Sequence, residues 1–223
     1  MQGQQADVTW KDGVPVSTAF DDPYYSLQNG LAETEHVFLA GNDLPARFCD
    51  GFHIAELGFG TGLNLLATLQ AWRTADVTGF LHYTSFERFP MAPEDVAAAL
   101  ARFETLQTDA DALCAALAAG TASFTLCDQV LVSLQIGDAR KILPNWSGQA
   151  DAWFLDGFSP AKNPELWEAD LLKAVHDHTA PGGTAATYSA AGAVKSGLRN
   201  AGFEVTRAPG FGRKRHMTRA RKV

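Results

Sequence analysis

The chain has 223 residues, a formal net charge of −7 and a hydrophobic fraction of 46%, which predict one domain, or one domain with an appendage. No apolar run is long enough to span a membrane, and the first 22 residues are polar, unlike a signal peptide. The three cysteines, at positions 49, 114 and 127, have neither metal-binding nor redox spacing. These features argue against a membrane protein and a disulfide scaffold, and they predict a soluble cytoplasmic protein without a metal.

The charges are divided unevenly along the chain. From Lys195 onward there are nine Lys and Arg residues and one acidic residue, so this segment carries +8. The preceding 194 residues carry −15. A basic end on an acidic body is typical of a nucleic-acid contact, although a solvated tail that aids solubility fits the charges equally well.

Residues 1–50 are predicted to form an N-terminal segment ahead of a domain over residues 51–223. The Asp12-Gly13 pair, between short apolar runs, predicts a β-hairpin. Residues 20–30 are rich in aromatic and turn-forming side chains. This stretch is either a lid or packing over one sheet edge, and the residue pattern does not decide between them.

The most informative stretch is residues 56–64, Glu-Leu-Gly-Phe-Gly-Thr-Gly-Leu-Asn. An apolar run that reads as a buried strand precedes it, and apolar residues at helical spacing follow from Leu63 to Trp72. Glycines allow positive φ angles and a close approach to the main chain, and a helix start offers free N–H groups. The pattern therefore predicts a strand, a ligand-binding turn and a helix, with a turn that binds no ligand as the alternative.

The spacing of the glycines separates two ligand classes. A dinucleotide-binding fingerprint needs a glycine or alanine at position 63, where this chain has Leu63. The turn also lacks the Gly-Lys-Ser/Thr ending of an ATPase phosphate-binding loop. The Glu-x-Gly-x-Gly-x-Gly pattern instead resembles the first motif of the Rossmann-like S-adenosylmethionine (SAM) methyltransferases. That resemblance implies that the acid and the turn hold the methionine part of the cofactor. The residues so implicated are Glu56, Gly58, Phe59, Gly60, Thr61, Gly62 and Asn64.

Two more acidic residues follow predicted strands. Glu87 ends a strand 25 residues beyond Gly62, close to the offset at which a Rossmann-type sheet places an acid against a ribose diol. Capping of the next helical segment is the alternative for Glu87. Asp138 follows a strand over residues 130–136, and in methyltransferases of this class an acid at this point commonly binds the adenine amino group. Capping of the helix that begins at Ala139 is the alternative there.

Residues 151–167 read as a buried strand, a rigid polar loop and a helix from about Pro164. Continuous apolar residues before Asp156 predict a central parallel strand, and ligands bind outside the carboxyl ends of such strands. We therefore expect Asp156 to face the methyl-bearing sulfur of the cofactor. The predicted fold is a doubly wound α/β domain with helices on both faces of the sheet. The resemblance to the SAM methyltransferases implies that this sheet is mixed and seven-stranded, with an antiparallel last strand.

Three stretches together resemble the methyltransferase domain of the tRNA 5-methylaminomethyl-2-thiouridine biosynthesis proteins (MnmC-type, with stand-alone members called MnmD). They are residues 56–64, 151–167 and 210–217, and the run Asp-Gly-Phe-Ser-Pro-Ala-Lys-Asn-Pro from Asp156 is the most specific. Parts of residues 22–39 and residues 85–90 also resemble that family, so the resemblance extends over most of the chain. The resemblance implies methyl transfer from SAM to the amine of 5-aminomethyl-2-thiouridine at the tRNA wobble position. The implied partner is the tRNA anticodon stem-loop.

Many members of that family carry a C-terminal FAD-dependent oxidase, which first removes a carboxymethyl group from the amine. This chain stops at Val223, which leaves no room for that oxidase, so we expect no FAD. If the chain is a complete protein, the aminomethyl substrate has to come from another enzyme or route.

The remaining candidates concern the substrate. Methylation requires a neutral amine, so a nearby carboxylate can accept its proton, or only orient it while water takes the proton. Asp156, followed by a loop stiffened by Pro160, is our candidate for that role. Phe158 and Pro160, and more weakly Tyr25 and Tyr24, are candidates to contact the uracil ring, with core packing as the alternative. Basic residues that are candidates for phosphate contacts are Lys162, Arg213, Lys214 and Arg215.

Two other functions fit parts of the sequence. One is a Rossmann-like transferase that moves a methyl or aminopropyl group to a small amine and needs no tRNA. The other is a tRNA- or SAM-binding module without turnover. A mere binding module has no need for Asp156, which favours an enzyme.

Overall fold

The computed structural model describes residues 4–223. They form one large β-sheet with helices on both of its faces, and a separate small sheet. The strands are β1 (Val8–Lys11), β2 (Val14–Ser17), β3 (Asp22–Pro23), β4 (His53–Leu57), β5 (Leu81–Glu87), β6 (Ser123–Leu126), β7 (Val130–Ile136), β8 (Ala150–Leu155), β9 (Thr179–Thr187), β10 (Glu204–Pro209) and β11 (His216–Arg221). The helices are α1 (Gly30–Thr34), α2 (Leu63–Ala75), α3 (Pro93–Leu100), α4 (Gln107–Ala118), α5 (Ala139–Ile142), α6 (Ala169–Asp177) and α7 (Gly192–Ala201).

The strands of the large sheet run in the order β10-β11-β9-β8-β4-β5-β7-β6. The central strands, from β9 to β7, pair in parallel, whereas β6, β10 and β11 pair antiparallel. From β4 the chain proceeds to β5 and β7 on one side, and then to β8 and β9 on the other. Ligands bind such sheets at the carboxyl ends of the strands where the order reverses, which here is between β4 and β8.

The predicted doubly wound fold with an antiparallel last strand is confirmed, but the sheet has eight strands rather than seven. The additional strand is β6, which pairs with β7 at the edge of the sheet. Cys127 and Asp128 form the tight turn between them with φ angles of +42° and +60°. The number of strands depends on whether both strands of this hairpin join the large sheet, which the residue pattern does not decide.

Burial explains the composition of the central strands. In β8, Trp153 and Phe154 are fully buried, as are Ile54 and Ala55 in β4. Parallel strands that are covered by helices on both faces read as continuous apolar runs. The predicted apolar face of α2, up to Trp72, packs into the core on one side of the sheet, and α6 and α7 contribute to a second core cluster.

The predicted hairpin at Asp12-Gly13 is also confirmed. Strands β1 and β2 pair antiparallel around this turn, and β3 extends them to a separate three-stranded sheet.

Within residues 4–223, no helix has both the length and the apolar composition needed to cross a membrane.

Candidate active site

The predicted glycine turn joins β4 to α2. Gly58, Gly60 and Gly62 have φ angles of +84°, +54° and +77°, a region that other residues rarely adopt. A Cβ atom at Gly58 would lie 3.2 Å from the backbone of Gly157, so the turn packs directly against the loop after β8. The turn and the end of β8 therefore share one wall of the site.

A cavity of about 750 Å³ opens at the carboxyl ends of β4, β5, β7 and β8. This volume lies in the range of cofactor and small-molecule sites. The predicted site residues that line it are Tyr25, Gly58, Phe59, Gly60, Thr61, Asn64, Glu87, Asp138, Asp156, Phe158, Arg213 and Lys214. Those that lie outside its lining are Glu56, Gly62, Pro160, Lys162 and Arg215.

Glu56 is fully buried behind the glycine turn. Its carboxyl group accepts hydrogen bonds from Asn64 Nδ2 at 2.8 Å and from Ser85 Oγ at 2.7 Å. Burial raises the pKa of Glu56 to about 8, because the charged form loses its hydration there. In this structure Glu56 reaches the cavity only through Asn64.

Asn64 connects three elements at the cavity wall. Its Nδ2 donates both to Glu56 and to Asp156 Oδ2, the latter at 2.7 Å. Its Oδ1 accepts a hydrogen bond from Thr34 Oγ1 at 2.8 Å. This buried amide therefore orients the Asp156 carboxyl group relative to α1 and the glycine turn.

Asp156 directly follows β8 and lines the cavity, as predicted. Its Oδ1 accepts a hydrogen bond from the Gly157 N–H at 2.8 Å. Burial raises the pKa of Asp156 to about 7; the negative charge of Glu33 adds to this rise, whereas the positive charge of Lys214 opposes it. A carboxyl group with this pKa populates both protonation states near neutral pH, as suits a proton acceptor.

Glu87 reaches the glycine turn from the neighbouring strand. Its Oε2 accepts a hydrogen bond from the Gly60 N–H at 3.1 Å, and its Oε1 accepts one from Phe89 N–H at 2.7 Å. Burial raises the pKa of Glu87. The structure therefore places this acid beside the glycine turn, and its contact with a ribose remains a prediction.

Asp138 follows β7 at the other end of the cavity. It caps α5 by accepting a hydrogen bond from the Arg140 N–H at 3.1 Å, so the capping alternative is present in the structure. The Arg140 guanidinium also donates to both carboxylate oxygens, at 3.0 and 2.8 Å. These hydrogen bonds hold the pKa of Asp138 below its usual range. Asp138 still lines the cavity, so capping and ligand contact are compatible.

Aromatic rings form another part of the cavity wall. Phe158 stacks on Phe20 with ring centroids 4.7 Å apart, and it meets Tyr24 edge-on at 5.1 Å. All three line the cavity. Tyr25 is largely buried, and its hydroxyl group donates to the Ala99 carbonyl at 2.7 Å. Little of its surface, and no free hydroxyl proton, is therefore left to contact a ligand.

The predicted phosphate-binding residues separate into two groups. Arg213 and Arg215 are exposed on the loop between β10 and β11. Lys162 instead contacts Asp21 and Asp22 of the N-terminal segment. Lys214 contacts Glu33 Oε1 at 2.8 Å, and its ammonium group lies 4.1 Å from the centroid of the Tyr188 ring.

Sequence reasoning gave no site role to several residues that line the cavity, among them Phe20, Glu33, Thr34 and Tyr188. Tyr188 follows β9 and donates to the Gly157 carbonyl at 2.8 Å, so its position at a strand end was a usable signal. Glu33 and Thr34 lie on the short helix α1, in a stretch that resembles the family, but the resemblance gave neither residue a role. Within residues 4–223, no group of three or more His, Cys, Asp and Glu side chains is arranged to hold a metal ion.

Comparison with known families gives one match to a family profile. Residues 101–223, more than half of the chain, match a family described as S-adenosyl-L-methionine-dependent methyltransferase.

Curated relatives match over nearly the whole chain. The tRNA 5-methylaminomethyl-2-thiouridine biosynthesis bifunctional protein MnmC of Chromobacterium violaceum is 43% identical over 228 residues, covering 98% of this chain and 34% of the relative. The protein of the same name from Caulobacter vibrioides is 43% identical, covering 96% of this chain and 37% of the relative. The chain thus spans about a third of the length of these relatives.

Solved structures with the same fold include MnmC2 from Aquifex aeolicus. Its TM-score is 0.75 at 24% identity, covering 98% of this chain and 71% of that one. The precorrin-6y C5,15-methyltransferase from Geobacter metallireducens has a TM-score of 0.51 at 14% identity, covering 96% and 95% of the two chains. At these identities the likeness concerns the fold.

Proposed function

Because this chain belongs to the S-adenosyl-L-methionine-dependent methyltransferase family, we propose that it methylates the primary amine of 5-aminomethyl-2-thiouridine at the tRNA wobble position. The observation that carries this proposal is a carboxyl group, Asp156, at the cavity wall with a pKa near neutrality. The names of the curated relatives, which match over nearly the whole chain, support the choice of substrate.

The cavity residues fit the cofactor that this family requires. Gly58 and Gly60, both with positive φ, present their backbone to the cavity, and a Cβ at Gly60 would lie only 3.1 Å from the Tyr24 ring. We propose that this turn and Asn64 hold the methionine part, Glu87 the ribose and Asp138 the adenine amino group. When bound, the cofactor would supply a methyl group carried on a positively charged sulfur. The sulfur would keep the electrons of the carbon–sulfur bond that breaks.

Asp156 provides what the amine requires. An alkyl amine is mostly protonated at neutral pH and has no free lone pair in that form. Asp156 accepts one amine proton and, held by Asn64 and Gly157, keeps the nitrogen in a fixed orientation. Because Asp156 acts on an existing amine, another catalytic unit has to produce the aminomethyl group beforehand.

The rest of the tRNA nucleotide and its phosphates need different contacts. The rings of Phe158, Phe20 and Tyr24 offer a surface on which a uracil ring stacks. Arg213 and Arg215, exposed between β10 and β11, are placed to contact phosphates of the anticodon stem-loop.

The test is transfer of a labelled methyl group from SAM to tRNA that bears either an aminomethyl or a carboxymethylaminomethyl group on its wobble uridine. We expect label on the aminomethyl tRNA and none on unmodified tRNA. If neither modified tRNA is labelled while small amines are, the protein is a small-amine transferase and the proposal fails.

A further inference from the structure

Another carboxylate of the cavity lining, Glu33, has no role in the function proposed above. Its side chain is only 15% exposed, and its negative charge contributes to the raised pKa of Asp156. Among the acidic side chains of the lining, Glu33 is therefore one whose charge acts directly on Asp156.

The position of Glu33 is fixed from two sides. Lys214 contacts its Oε1 at 2.8 Å and rests on the ring of Tyr188. Tyr188 in turn donates its hydroxyl proton to the Gly157 carbonyl at 2.8 Å, next to Asp156. On the other side, Thr34, the residue after Glu33, donates to Asn64, which also holds Asp156.

We propose that Glu33 is a specificity-determining residue, which accepts an N–H of the substrate amine together with Asp156 and repels an amine that already carries a carboxymethyl group. This inference rests on the proposed function and identifies how the same site selects its substrate.

The chemistry of the amine supports a pair of acceptors. A primary ammonium has three N–H donors, and a carboxylate is an acceptor only. After one proton passes to Asp156, the neutral amine keeps two N–H groups and one lone pair. An N–H held by Glu33 restricts rotation of the amine and leaves the lone pair free for methyl transfer.

The same pair rejects the wrong substrate. A carboxymethyl group on the nitrogen brings a further negative charge close to Glu33 and Asp156, and like charges at short distance make binding less favourable. Lys214 pairs with Glu33, but within residues 4–223 no cation lies within hydrogen-bonding distance of Asp156, so one of the two carboxyl groups has no paired positive charge.

The experiment uses Glu33→Gln in the full chain, with kcat and KM measured for aminomethyl tRNA and the inhibition constant measured for carboxymethylaminomethyl tRNA. We expect KM to rise about tenfold with kcat changed less than threefold, and carboxymethylaminomethyl tRNA to inhibit about tenfold more strongly. The matched control is Glu35→Gln, an exposed acid in the next helical turn outside the cavity lining, which should leave all three constants unchanged.

A second variant guards against a folding defect in Glu33→Gln. Lys214→Met keeps both carboxylates and removes the nearby cation, so carboxymethylaminomethyl tRNA should inhibit several-fold more weakly than it inhibits wild type. If both variants leave the inhibition constant unchanged while wild type methylates aminomethyl tRNA, the inference is overturned and the proposed function stands. If wild type methylates neither tRNA, the proposed function fails, and the inference fails with it.

Discussion

The two ends of the cavity each carry an aspartate that follows a parallel strand. Asp156 follows β8, where its partners are the neutral donors Asn64 Nδ2 and Gly157 N–H. Asp138 follows β7, where the Arg140 guanidinium donates to both carboxylate oxygens. Burial raises the pKa of Asp156 to about 7, whereas Arg140 holds the pKa of Asp138 below its usual range.

The difference shows that neighbours, and not residue type or position in the fold, decide what each acid can do. Desolvation without a cation favours the protonated carboxyl group, and a bidentate guanidinium favours the carboxylate. Asp156 can therefore exchange a proton near neutral pH, while Asp138 stays a fixed negative acceptor. We expect the Asp156 end to control turnover and the Asp138 end to control cofactor affinity.

The largest effect is expected for Asp156→Asn, because the amide keeps the shape but cannot accept the proton. Loss of a general base lowers kcat by about 10²–10⁴-fold, while the Kd for SAM should change little. In wild type, the deprotonated carboxyl group is the active form, so kcat/KM should rise with pH through about 7, and the variant should lack this limb. Turnover close to wild type would remove Asp156 from both of its proposed roles.

A large loss of stability is expected for Asn64→Ala. The change leaves the buried carboxyl group of Glu56 and the Thr34 hydroxyl each short of a partner, which should lower the free energy of unfolding by about 2–3 kcal/mol. Urea denaturation measures this. The control is Asn145→Ala, which removes an exposed amide bonded to the Lys141 carbonyl; equal losses in the two variants would contradict the role given to Asn64.

At the other end of the cavity, Asp138→Asn should act on binding. We expect the Kd for SAM to rise about tenfold, equal to ~1.4 kcal/mol, with kcat at saturating SAM within a few-fold of wild type. Calorimetric titration and saturating assays separate the two quantities. A fall in kcat as large as that of Asp156→Asn, with the Kd unchanged, would remove the distinction between the two ends.

The smallest effect is expected for the exposed arginines of the loop between β10 and β11, of which Arg213 lines the cavity. Arg213→Ser combined with Arg215→Ser should reduce the slope of log K against log salt for tRNA binding by about 2, one unit for each phosphate contact. The Kd for SAM should stay unchanged. The matched control combines Lys173→Ser and Arg199→Ser, two exposed residues outside the cavity lining. If both double variants change the slope equally, the loop between β10 and β11 is not a specific tRNA contact.

Much of this site could be predicted where the signal is local. The glycine turn and Asp156 each depend on neighbouring residues in the chain, namely a strand followed by glycines or by an acid. The role of Asn64 as a bridge could not be predicted, because its partner Asp156 lies 92 residues away. The contact between Glu33 and Lys214 joins residues 181 apart.

Local spacing also left the state of Asp138 open. Arg140 is two residues away, and whether its side chain folds back onto Asp138 depends on the start of α5. The predicted number of strands was wrong for a similar reason. Strand β6 belongs to the large sheet through its pairing with β7, which in turn pairs with β5. Sequence patterns therefore predicted which residues lie at the strand ends, but not how their side chains pair.

The most direct test of this account is a titration of the aspartate carboxyl carbons by ¹³C NMR, with the signals assigned through Asp156→Asn and Asp138→Asn. We predict a midpoint of about 7 for Asp156 and one below the usual aspartate range for Asp138. If Asp156 instead titrates near pH ~4, like an aspartate exposed to water, it is fully ionised at neutral pH. The contrast between the two ends of the cavity would then be wrong.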